Sequence, residues 1–149
     1  MFTRHTGRLL GSLALLSGVT LADALPSDVG AAPPAPKLVV TPAAPMRSGE
    51  TVTVSGHGFK PRESVYIVEC LASAKSSLGC DLTTATPATI SATGVLPKTK
   101  FKVVAGQIGS SSCGVSKATL KNCAISAGNA SGGDTAVARI TFIVPKAKK

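Results

Sequence analysis

The sequence predicts an all-β fold, a seven-stranded immunoglobulin-like sandwich with two local disulfides. Three observations lead there. From Lys37 onward the chain is a succession of short runs rich in Val, Ile and Thr, cut by Gly, Pro, Ser and Asn, a composition that favours strands and tight turns. No stretch after the first 24 residues shows an apolar period of 3.6. Cys70, Cys80, Cys113 and Cys123 form two C-x9-C units, and an even cysteine count in a small exported domain reads as a pair of disulfides.

Each element has its own justification. Residues 37–41 (KLVVT) make the first strand, stopped by Pro42, which has no N–H to give a ladder. In residues 50–55, Val52 and Val54 alternate with Thr51 and Thr53, as a half-buried strand requires. Gly56-His-Gly-Phe-Lys-Pro61 forces a turn. Residues 64–70 (SVYIVEC) are apolar on both faces, which suits a central strand. Residues 89–92 lead into a turn at Thr93-Gly94, and residues 98–104 (KTKFKVV) form the next strand. Residues 123–127 and 136–144 are the last two strands, joined by a Gly/Asn/Ser turn over 128–134. Ala138, Ile140, Phe142 and Val144 share one face there, and Pro145 ends the run. Phe59, Tyr66, Phe101 and Phe142 are the aromatic residues after the first 24 positions, so a core thin in rings is expected to lean on aliphatic packing and the disulfides.

The ends of the chain suggest export. Arg4 and Arg8 precede an apolar run over residues 9–22, and Ala22-Asp23-Ala24 places small residues where a signal peptidase reads. Residues 1–24 are therefore expected to be a signal peptide cleaved after Ala24, with an alternative point near Ala32. The apolar run is shorter than the roughly 20 residues that span a bilayer, and no later stretch stops transfer. No transmembrane segment is expected, and no cysteine near either cleavage point offers a lipid anchor. Residues 25–36 read as a Pro/Ala-rich lead-in, 37–145 as the domain and 146–149 as a basic tail; a secreted monomer is expected.

Four cysteines allow three connectivities, and the sequence does not choose among them. The two separate units favour local closure, 70 with 80 and 113 with 123. Each loop of about ten residues would contribute roughly 2–3 kcal/mol through chain entropy. Zinc sites usually pair ligands two to four residues apart, a spacing neither unit has, so no metal and no cofactor is expected.

Charge is uneven. The chain holds 16 Lys and Arg against 7 Asp and Glu; removing Arg4, Arg8 and Asp23 leaves 14 against 6, net +8. Such a balance suits anionic partners such as envelope polymers. Lys98, Lys100 and Lys102 alternate along one strand and so share a face, about 6.7 Å apart, with Lys146, Lys148 and Lys149 adding to the supply. Binding through such a stripe would weaken with salt, and without interleaved aromatics it would not recognise nucleic acid sequence. A lysine row is also an ordinary guard on an edge strand.

Catalytic residues are not expected. His57 sits between two glycines in a turn, and the glycines do not precede a helix that would cradle phosphate. Carboxylates for acid–base work would come from Glu50, Glu63, Glu69, Asp81 and Asp134. A local disulfide would bring Glu69 and Asp81 together, most simply on a solvated rim.

Four stretches resemble the neocarzinostatin family, secreted apoproteins that carry enediyne antibiotic chromophores in actinobacteria. They are Val39-Val-Thr-Pro42, Gly49-Glu-Thr-Val-Thr-Val-Ser-Gly-His-Gly-Phe59, the step from Cys70 to Cys80, and Cys123-Ala-Ile-Ser-Ala-Gly-Asn129 with its Gly/Asp turn and Ala138-Arg-Ile-Thr-Phe142. The resemblance implies a seven-stranded sandwich with local disulfides and a cleft between its body and a smaller disulfide-bearing hairpin region. It also implies a non-enzymatic carrier whose antimicrobial or DNA-directed effects reside in its cargo. The chain departs from that pattern where the family stacks its flat ligand. Ala72 stands where members can carry a Trp, residues 82–85 hold no ring, and residues 105–112 supply no aromatic. The loop over 114–122 is long and carries Lys117 and Lys121, whereas chromophore carriers are typically acidic.

Two functions are therefore expected to compete. In the first, Leu71, Leu78 and Leu82 around the first cysteine unit, with Val104 and Ile108 beyond the Phe101 strand, line an apolar groove. Ser126 and Asn129 edge it, and its ligand is a small apolar compound rather than a large aromatic enediyne. The leucines alternatively only cap the sandwich. In the second, a cell-envelope interaction domain holds anionic polymer on its lysine face.

Overall fold

A computed structural model describes residues 34–143; the expected signal peptide, most of the lead-in, Val144 and the basic tail lie outside the described residues. Alternation in β2 (Thr51–His57) buries Val52, Val54 and Gly56 and turns Thr51, Thr53, Ser55 and His57 away from the core. β2 pairs antiparallel with β1 (Lys37–Thr41) on one side and β5 (Val95–Lys102) on the other. The second sheet runs β4 (Cys80–Thr89), β3 (Ser64–Leu71), β8 (Cys123–Gly128) and β9 (Ala136–Ile140), all antiparallel. These seven strands are the sandwich. A separate hairpin pairs β6 (Gly106–Ile108) with β7 (Ser111–Cys113).

The inner faces of the two sheets supply one core. Val52, Val54, Leu96 and Phe101 come from the three-stranded sheet, Val65, Ile67, Ile125 and Ile140 from the four-stranded one, and Met46, Phe59 and Phe142 from the connections. Each such side chain contributes about 1.5–3 kcal/mol by leaving water. Tyr66 departs from the expected core: it is 45% exposed, because it alternates with Val65 and Ile67 and so faces outward. Phe142 follows the end of β9 and makes an isolated parallel bridge to Met46, so the expected long last strand is a shorter strand plus a bridge.

Two further boundaries differ from expectation. Residues 90–92 lie outside any strand; β4 instead occupies Cys80–Thr89, and Ser91 builds the next turn, its Oγ accepting from the Thr93 and Val95 amides at 3.2 and 3.0 Å. β5 begins at Val95, its register with β2 shifting between Val54 and Gly56. Gly56 is required there, since a Cβ would sit 2.5 Å from the Lys37 carbonyl oxygen and 2.8 Å from the Phe59 ring. The turn read from Gly56-His-Gly thus begins inside β2.

The cysteines close locally, Cys70 to Cys80 and Cys113 to Cys123. The first bridge joins register partners of β3 and β4. The second ties the hairpin to β8 in the core, both of its cysteines being fully buried. Among the described residues no helix is long and apolar enough to cross a membrane.

Candidate functional site

The outer face of the four-stranded sheet carries a groove of about 1000 Å³, and the register explains its shape. β3 turns Tyr66, Val68 and Cys70 outward, and β9 turns Val137 and Arg139 outward. Between them β8 presents only Ser126 and Gly128 to the groove. Tyr66 pairs with Gly128, and Val68 with Ser126, which pairs in turn with Val137. Small residues on the middle strand, flanked by larger ones on its neighbours, make a trough; adjacent strands lie about 4.8 Å apart, so its walls stand about 10 Å apart. A Cβ on Gly128 would lie 2.7 Å from Thr135 Oγ1, so a larger residue there would have to displace that side chain.

The fourth strand adds one wall through an irregularity. Ile67 pairs with Thr86, but Glu69 pairs with Asp81, so residues 82–85 bulge opposite Val68. Leu82 and Ala85 reach the groove from that bulge. Asp81 holds it in place: its Oδ1 accepts from the Thr83 amide at 3.0 Å and the Thr83 hydroxyl at 2.6 Å, and its Oδ2 from Thr84 Oγ1 at 3.0 Å. The Thr83 hydroxyl, with the further bonds of this cluster, keeps the Asp81 carboxyl below the usual range.

Loops close the two ends. At one end the segment tethered by the Cys70–Cys80 bridge contributes Leu71, Ala72, Ala74, Lys75, Ser76 and Ser77. At the other, Asn129 organises the turn before β9. Its Oδ1 accepts from the Gly133 amide and the Ser131 hydroxyl, both at 2.8 Å, while Nδ2 donates to Glu63 Oε1 at 2.7 Å. Asn129 therefore lines the groove edge with its amide already committed to the turn.

Of the residues read from the sequence, Leu71, Leu82, Ser126 and Asn129 are brought together here. Leu78, Val104 and Ile108 are not. Leu78 is 85% exposed on the 3-10 turn Ser77–Gly79. Ile108 belongs to the core, because the hairpin folds its β6 side chain inward. Val104 follows β5 with its side chain exposed, and its amide donates to Glu69 Oε2 at 2.8 Å. The groove on the outer face of the sheet is lined without these hairpin and 3-10 turn residues. Tyr66, Val68, Val137, Lys75 and Arg139 were not foreseen as lining. The parity of Tyr66 and Val68 against Val65 and Ile67, and of Val137 and Arg139 against Ala138 and Ile140, was the available signal.

Glu69 does not sit on a solvated rim. It is 3% exposed, and burial pushes its carboxyl up to about 7, the Val104 amide opposing and the Asp81 charge adding. Its Oε1 lies 3.4 Å from Cys113 Sγ, in contact with a disulfide sulfur that has no proton to donate. Neither Glu69 nor Asp81 lines the groove. His57 is exposed at the end of β2. Lys98, Lys100 and Lys102 are exposed along β5, an edge strand of the other sheet, with Lys100 Nζ donating to Thr53 Oγ1 at 3.1 Å.

Comparison with known proteins agrees with this architecture. The model of the neocarzinostatin family matches residues 38–142. Macromomycin of Streptomyces macromomyceticus is 33% identical over 146 residues, which cover 93% of this chain and 98% of that protein. A solved structure of macromomycin aligns with a TM-score of 0.55 at 31% identity, covering 73% of this chain and 100% of its own. The solution conformation of apokedarcidin shares the fold, with a TM-score of 0.50 at 24% identity over 74% of this chain and 100% of that one. With its two local disulfides, its seven-stranded sandwich and a family match running from β1 to the Met46–Phe142 bridge, the chain belongs to the neocarzinostatin family.

Proposed function

We propose that this chain is a non-catalytic carrier that holds a small, largely apolar molecule in the groove along β8. One observation supports this most: a trough of about 1000 Å³, walled by Tyr66, Val68, Leu71, Leu82 and Val137, on the scaffold of this family. That volume is at the upper end of what drug-sized ligands occupy. Tyr66 is the one aromatic residue in its lining, and one ring can stack on a ligand from one side only. A smaller and less extended cargo than a large aromatic enediyne suits such walls. The carrier acts outside the cell, where both disulfides persist, and any effect on DNA or on other cells belongs to the cargo.

Native mass spectrometry of the protein purified from its secretion medium, at low and high salt, tests the reading. A bound small molecule that survives high salt is the expected result. Ser126→Trp, which fills the trough floor, should abolish retention, whereas Leu78→Lys should leave it unchanged. Retention lost with Leu78→Lys but kept with Ser126→Trp would overturn the placement.

A second reading keeps the scaffold as an envelope domain that holds anionic polymer on the β5 face. The observation favouring it is that Lys98, Lys100 and Lys102 are all exposed in one row. Association that high salt removes, with no bound small molecule, would favour it.

A further inference from the structure

We infer that the cargo of this groove is amphipathic and carries an anionic group, a carboxylate, sulfonate or phosphate, seated against Arg139 and Lys75; this rests on the carrier reading above. The lining contains two cations, Lys75 and Arg139, and neither Asp nor Glu. The carboxylates nearest in sequence to the lining are hydrogen-bonded outside it: Asp81 with Thr83 and Thr84, Asp134 with the Lys60 amide, Glu63 with Asn129, and Glu69 on the inner side with the Val104 amide. A trough whose lining holds two cations and no carboxylate favours an anion.

The register places the two cations at one end. Arg139 pairs with Ala124, Ala124 with Cys70, and Cys70 with Cys80, a single row across the sheet. Ala124 is fully buried in the middle of that row. Lys75 lies on the segment that the Cys70–Cys80 bridge closes over the same end. The next row, Val137–Ser126–Val68 with Leu82 and Ala85 from the bulge, is mainly apolar. The last pair, Gly128 with Tyr66, offers backbone and a ring. The groove is therefore polarised, cationic at the disulfide end and apolar toward Tyr66. A guanidinium on a strand, with its planar fork of donors, suits two oxygens of one anionic group. Lys75 supplies a second charge from the loop, and the Ser76 and Ser77 hydroxyls lie beside it in the lining.

Two fluorescent probes that share a ring system separate charge from shape: 8-anilinonaphthalene-1-sulfonate, which carries the anion, and N-phenyl-1-naphthylamine, which lacks it. Titration of the purified, oxidised protein should show the sulfonate binding about tenfold tighter, the preference that ~1.4 kcal/mol of differential interaction produces. Arg139→Gln with Lys75→Gln should bring the two affinities together by weakening the sulfonate alone. Equal affinities in the unmutated protein would overturn the anionic inference while leaving the carrier reading intact. Failure of both probes to bind, with the fold confirmed by circular dichroism, would overturn the carrier reading itself. A sulfonate preference that survives Arg139→Gln with Lys75→Gln but disappears when Lys98, Lys100 and Lys102 become Gln would place the anion on the β5 face and overturn the inference.

Discussion

Glu69 shows how a single buried carboxyl couples the sandwich to its hairpin. It sits on β3, receives the Val104 amide, and touches the bridge that anchors β7. Its carboxyl lies at about 7 in the folded chain against an ordinary 4.5. The folded state thus holds a proton that the unfolded chain releases, so stability is fully present below 4.5 and falls as pH rises toward 7. The loss is on the order of 2 kcal/mol once solvent screening is allowed for. Glu69→Gln keeps the shape and an acceptor for Val104 but does not titrate. Melting temperature followed from pH 4.5 to 7.5 should decline in the unmutated protein and stay nearly level in the variant. A variant that declines equally would assign the pH dependence to another group. Asp81 works in the opposite direction: its carboxyl is held low, so its contribution is lost only in acid, as pH falls below the ordinary value of 3.8.

At the scale of elements, the two disulfides invite comparison because each closes the same sequence separation, 10 residues. The chain-entropy contribution is therefore equal, about 2–3 kcal/mol each, and any difference comes from packing. Cys113 and Cys123 are fully buried within the core, whereas Cys80 is partly exposed beside the groove. Chemical denaturation should find the Cys113→Ala/Cys123→Ala pair less stable than Cys70→Ala/Cys80→Ala by about 1–2 kcal/mol, through the buried volume lost. The second pair should instead loosen the segment bearing Lys75 and weaken ligand retention. The elements were unequally legible. β1, β2, β3, β8 and the start of β9 follow from their short apolar runs and the turn residues between them, and the two C-x9-C units favoured the local closure of the cysteines without fixing it. β4 was missed because CDLTTATPAT mixes threonines, alanines and a proline without period, and its pairing comes from β3 rather than from its own pattern. The hairpin core residue Ile108 looked like a groove residue because a run of three residues carries no period to read. On the site, leucines drew attention by hydropathy, while the trough was built from what β8 lacks. An absence of bulk at Ser126 and Gly128 becomes meaningful only once their neighbours across the sheet are known.

For the whole molecule, the groove and the lysine row lie on different sheets. The groove occupies the outer face of one, the Lys98, Lys100 and Lys102 row the outer strand of the other. Replacing those three lysines by Gln should leave retention of a groove ligand unchanged and reduce salt-sensitive association with anionic polymer several-fold, as read by retention on a cation-exchange or polyanion column. Loss of groove binding in that variant would mean the two faces are not independent. The trough is open above its apolar stretch: Tyr66, Leu82 and Val137 remain 45%, 57% and 58% exposed. A guest then enters and departs without waiting for any strand or loop to open. Arrival should proceed near the encounter rate, and the time a guest stays aboard should be set by contact strength alone. Such a protein would not lock its freight but lease it, surrendering the guest by dilution wherever the surroundings offer a better host.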